Sequence, residues 1–201
     1  MSADEAILTD RLKACAWSLN YRQNDLNFRG GDSVSISYGP AFWAASFRYE
    51  NLQPDQYRTL TAWINRRYGS SVPFMAHLPS RRYPKNNPGT TNTGLTLSAY
   101  NATTGAITIN KGNMAEGDMV SWKDSNGAQF VGEIVEVTSV SGSSTTFKTS
   151  PFARAPHGTP VPRVFEAQGR FRIIPGSVRI EDGHDQIYSV SFDARQMEGV
   201  P

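Results

Sequence analysis

The sequence predicts a mainly-β chain with one flanking helix and an inserted, smaller all-β unit. Three observations carry this. The 201 residues include 17 Gly, 12 Pro, 4 Trp, 8 Tyr and 10 Phe, with Ser and Thr throughout, a composition suited to pleated surfaces and tight turns. Short runs alternate large and polar side chains along most of the chain, the period-two signature of strands. Only one segment, residues 54–68, combines helical spacing with start and stop signals.

Before that helix, residues 17–21 and 33–37 alternate as short strands, and residues 42–49 continue with aromatic and small side chains as a third. The stretch 27–32, with Gly30 and Gly31, separates the first two. In the helix, Pro54 suits the first position, where its missing N–H costs no hydrogen bond, and Asp55 meets the positive helix end. Tyr57, Leu60, Ile64 and Tyr68 form one apolar stripe. Arg66 and Arg67 fall in the last turn and Gly69 can take a left-handed cap. Trp63 lies beside the stripe, where it either widens the buried face or marks a contact with another chain.

Residues 71–76 read as another strand, and the loop 78–94, rich in Pro, Asn, Gly and Thr, as a linker or exposed excursion. Beyond it, runs at 95–99, 106–110, 119–122, 129–140 and 145–149 are separated by turns at Gly105, Gly112, Gly117, Gly127 and Gly142, the spacing of a small barrel or sandwich. A Pro-marked return at 150–162 leads to strands at 169–174, 177–181 and 186–195. The expected organisation is a discontinuous domain, 1–88 plus 163–201, with an inserted unit at 89–162.

Charge and motifs bound the chemistry. With 20 basic and 18 acidic residues the net charge is +2, short of what neutralising many phosphates requires, so nucleic acid is not expected as a specific ligand. Asp4 and Glu5 stand where a secretory leader would be basic, and no apolar run reaches the roughly 20 residues of a membrane span. The single Cys15, beside Trp17, reads as an inert thiol. His77, His157 and His184 show no metal-ligand spacing, and residues 181–185 read as a hairpin turn because the further carboxylates of a calcium loop are missing. Neither a nucleophile elbow nor a phosphate-binding glycine loop occurs, so the expectation is a non-enzyme without cofactor or metal. The cluster Arg81, Arg82, Tyr83 and Lys85 either grips a partner or is a solvated loop. Together with Trp63 it forms the candidate partner surface.

The order of residues 39–46 (GPAFWAAS), Leu52 through Trp63, Ile64, Asn65, Arg66, Arg67, Tyr68 and Gly69, then Pro73, Phe74, Leu78 and Pro79, resembles minor structural proteins of long-tailed bacteriophages. So do Met114 to Val120, Phe130 to Val137 and Ser150 to Arg154. Within that group the chain, over residues 17–197, is most similar to distal tail proteins. The resemblance implies a tail-tube-like β-barrel or sandwich with a flanking helix and an extra small β-domain. It also implies a virion component assembled in the host cytoplasm, forming a hexameric ring that joins the tail tube protein to the tail hub, near the tape measure protein. The alternatives are a tail-tube subunit, or a carbohydrate-binding or cell-wall-directed module using Trp122, Tyr100 or Phe130.

Overall fold

The structure, a computed structural model, describes residues 6–9, 11–27, 33–67, 71–86, 92–111, 113–158, 160–182 and 187–197. Among the described residues it is mainly β, with one α-helix and two sheets.

The first sheet begins with two long strands, β1 (Leu12–Asn27) and β2 (Ser33–Leu52), paired antiparallel. This departs from the three short strands expected. Pro40 does not break β2 because it lies in a bulge: Pro40 and Ala41 together oppose Tyr21, between the pairs Arg22 with Gly39 and Asn20 with Phe42. A proline at a bulge withholds no ladder hydrogen bond. The expected turn at 27–32 lies outside the described residues except for Asn27.

Helix α1 (Pro54–Arg66) starts as its sequence indicates, with Pro54 in the first turn and the Gln53 N–H donating to Gln56 Oε1 at 3.0 Å. Arg67 caps it in right-handed geometry. The expected extension to Tyr68 and the cap at Gly69 lie outside the described residues. Its inward face, Leu60, Trp63 and Ile64, covers the sheet's buried row of Phe47, Tyr49, Phe74 and Phe192.

The remaining strands of this sheet are β3 (Phe74–His77), β9 (Gln168–Ile173), β10 (Arg179–Asp182) and β11 (Tyr188–Gln196), in the order β1-β2-β11-β9-β3. Strands β9 and β10 follow each other along one edge of β11, their registers offset by three residues. Ser177 holds that interruption: its Oγ accepts from the Asp193 N–H at 3.1 Å and lies 2.7 Å from the Ile174 carbonyl oxygen. The hairpin turn expected at 181–185 falls mostly outside the described residues, as does His184.

The second sheet, ordered β4-β5-β8-β7-β6, contains β4 (Thr96–Tyr100), β5 (Ile107–Asn110), β6 (Met119–Lys123), β7 (Gln129–Ser141) and β8 (Ser144–Ser150). Its core is built from Leu97, Ile107, Ile109, Trp122, Phe130 and Phe147, among others, and reaches Val164.

The two cores touch. Met119 and Val131 of the second sheet pack into the first core, and Trp43 Nε1 donates to the Val131 carbonyl at 3.2 Å. Gly169 permits this approach, because a Cβ there would lie 2.9 Å from Val131 Cγ1. Polar bonds seal the seam: Gln168 N–H donates to Ser121 Oγ at 3.0 Å, and Gln129 Nε2 to the Gln168 carbonyl at 3.2 Å. Among the described residues, no helix is long and apolar enough to cross a membrane.

Candidate interaction surfaces

The basic cluster is not a free loop. Residues 79–81 form one 3-10 turn, with the Arg81 N–H donating to the Leu78 carbonyl at 3.0 Å. The Arg81 guanidinium reaches Glu133 of β7 at 2.7 Å, and that of Arg82 reaches Glu166 at 2.7 Å. Arg82 also stacks on Tyr83 and Phe165, each ring centroid 5.4 Å away, while Pro84 is buried and Lys85 N–H donates to Asp118 Oδ1 at 2.8 Å. On the returning side, Asn92 Oδ1 accepts from the N–H groups of Val164 and Phe165, both at 2.9 Å. Both ends of the described loop are thus tied to the segment that leaves the second sheet. Arg81, Arg82, Tyr83 and Lys85 lie on one exposed turn and the segment after it, but the two guanidinium groups already have acidic partners within the chain. Only Tyr83, Lys85 and the outer edges of the arginines remain for another molecule.

Trp63 is corrected as a partner residue. It is 1% exposed, its ring 5.2 Å from Phe74 and 6.2 Å from Phe192, with the Arg67 guanidinium 4.5 Å from the ring centre. A side chain sealed between helix and sheet has no surface to offer. The aromatic residues weighed for sugar stacking fare similarly. Trp122 and Phe130 are packed at 4.2 Å in the second core, and Tyr100 is half-buried with its hydroxyl donating to the Ala153 carbonyl at 3.3 Å.

Burial pushes the Cys15 thiol up to about 11, the neighbouring Trp17 opposing the rise, so it stays protonated near neutrality. Burial also lowers His77, with nearby Glu166 opposing it and Arg82 and Arg163 adding to it. No group of three or more His, Cys, Asp or Glu side chains suited to a metal is present among the described residues.

The least satisfied surface is the far half of the first hairpin. Among the described residues, strand β11 pairs with β2 from Ala44 to Leu52, residues 33–42 of β2 have β1 as their strand partner, and no strand pairs with the other edge of β1. This two-stranded arm carries Val34, Ile36 and Tyr38 at alternate positions of β2, and Tyr21 on β1, exposed by 50%, 39%, 62% and 60%. Asn24 Nδ2 lies 3.4 Å from Tyr38 Oη across the arm, and near its base Tyr21 Oη lies 3.1 Å from Ser150 Oγ of β8. A two-stranded ribbon with an uncovered apolar row is marginal in water and acquires a large gain on pairing or packing with another chain. The alternation of Val34, Ile36 and Tyr38 with serines was legible as a strand, but nothing in that pattern distinguishes a core face from one awaiting a partner.

Compared with known proteins, the chain matches no family model and no curated protein.

Proposed function

We propose that the chain is a structural subunit of a bacteriophage tail tip: a distal ring, most simply a hexamer, joining the tail tube to the hub and receptor-binding parts. The carrying observation is the long β1 edge, unpaired among the described residues, continuous with an apolar two-stranded arm. A subunit with an edge unpaired among its described residues and an exposed apolar two-stranded arm gains by a head-to-tail contact with its neighbour, and such contacts close into rings when the rotation between subunits divides the circle. The similarity of residues 39–46 and 63–69 to distal tail proteins supports the tail-tip setting. The clasp of residues 81–85 keeps the second sheet at a fixed station on the first, as a connector between unlike components requires.

The deciding experiment labels this chain in assembled particles and images them. Six labels at the distal end of the tube are expected. Labels along the whole tube would make it a tube subunit, and labels confined to peripheral fibres would make it a receptor-binding module.

A further inference from the structure

One face of the first sheet carries charge that the fold leaves uncompensated. Arg172 of β9 and Arg195 of β11 are directly opposed cross-strand partners, and both are exposed. Like charges at that position repel and destabilise the sheet. Neither takes part in an ion pair among the described residues, although Asp193 lies two residues along the same strand. The row continues across β2, where Phe42 has the Arg195 guanidinium 4.1 Å and the Arg22 guanidinium 5.3 Å from its ring centre. For Arg195, stacking on Phe42 fixes the guanidinium plane and directs its N–H edge outward, where a bidentate acceptor fits. Beside this row the sheet surface sinks into a groove of about 340 Å³, floored by Ala16, Ser18, Ala44 and Ser46 and bordered by Ile174 and Asp193.

We infer that this face is a docking surface for an acidic segment of a partner protein. The partner's carboxylates seat on Arg172 and Arg195, and its backbone lies over the small residues of the groove. Carboxylates are favoured over phosphates by the setting. The groove floor of alanine and serine lets a peptide backbone approach closely, whereas a duplex needs cations spread along its length. This goes beyond the ring reading and does not depend on it: the site uses outward side chains of β1, β2, β9 and β11, whereas the ring reading uses the backbone edge of β1 that is unpaired among the described residues.

The test is fluorescence anisotropy of a labelled peptide alternating Glu and Ala, titrated with the full chain at low salt. A variant with Arg172→Gln and Arg195→Gln is compared with a control of equal charge change, Arg58→Gln with Arg66→Gln on the exposed helix surface. The expected result is binding about ten-fold weaker in the sheet variant and unchanged within about two-fold in the control. Equal losses in both, no binding by the unaltered chain, or tighter binding of a short DNA duplex that is lost in the same sheet variant would each overturn the proposal. Thermal melts guard against a folding artefact. Arg172→Gln relieves repulsion, so its Tm is expected to hold or rise, and a marked fall would assign Arg172 a structural role instead.

Discussion

Arg82 and Glu166 hold each other at two points: side chain to side chain at 2.7 Å, and the Glu166 N–H to the Arg82 carbonyl at 2.9 Å. The chain entering the second sheet is thereby fastened to the chain leaving it, which shortens the effective loop and fixes how the two sheets meet.

Removing that clasp should be measurable but modest, because both side chains are partly exposed. Glu166→Gln is expected to cost about 0.5–1 kcal/mol, and Arg82→Ala about 1–2 kcal/mol since stacking on Phe165 is lost as well. Urea melts of both single variants and the double variant give the coupling. Limited trypsinolysis adds a local readout: cleavage after Arg82 should be slow in the unaltered chain and faster in Glu166→Gln. Equal cleavage rates would show that the clasp does not restrain this backbone.

The helix face offers a sharper contrast. Leu60 is 2% exposed within the first core, whereas Asn65 is exposed on the same helix. Leu60→Ala is expected to cost about 2–5 kcal/mol, and Asn65→Ala to stay within about 0.5 kcal/mol. Denaturant midpoints at constant slope decide it, and equal small shifts would remove this helix from the core.

His77 makes stability depend on pH in a stated direction. Its pKa is lowered in the folded chain, chiefly by burial, so the unfolded chain binds the proton more readily. Stability is therefore full above the ordinary value of 6.5 and falls as pH drops from 6.5 towards the folded value. His77→Asn should flatten the Tm profile between about pH 7 and pH 5. An unchanged slope in that window would assign the acid sensitivity to other groups.

The arm separates assembly from folding. Ile36→Lys places a charge on a row already open to water, so the isolated chain should melt within about 0.5 kcal/mol of the original. On the proposed tail-tip role, particles grown with that variant should show fewer tail tips carrying the chain, counted by labelled micrographs. Normal incorporation would mean that this row contacts nothing in the particle.

The sequence by itself determined the mainly-β class, the helix with Leu60 and Ile64 on its inward stripe, and the strands of the second sheet to within a residue or two. These features are local: Pro54 and Asp55 signal a helix start without knowing what it packs against, and Gly105 and Gly127, at φ +67° and +77°, punctuate strands by backbone freedom alone. Tertiary structure decided what depends on which surfaces meet. Pro40 lies within one long strand because a bulge opposes it to Tyr21, and Trp63 is core because Phe74 and Phe192 close over it. Arg81 and Arg82 find Glu133 and Glu166, which are 52 and 84 residues further along the chain. Likewise Arg172 and Arg195 oppose each other only through the register of two strands. Periodicity states which side chains share a face, but burial and charge pairing are properties of two surfaces in contact, and those contacts arise between segments far apart in sequence.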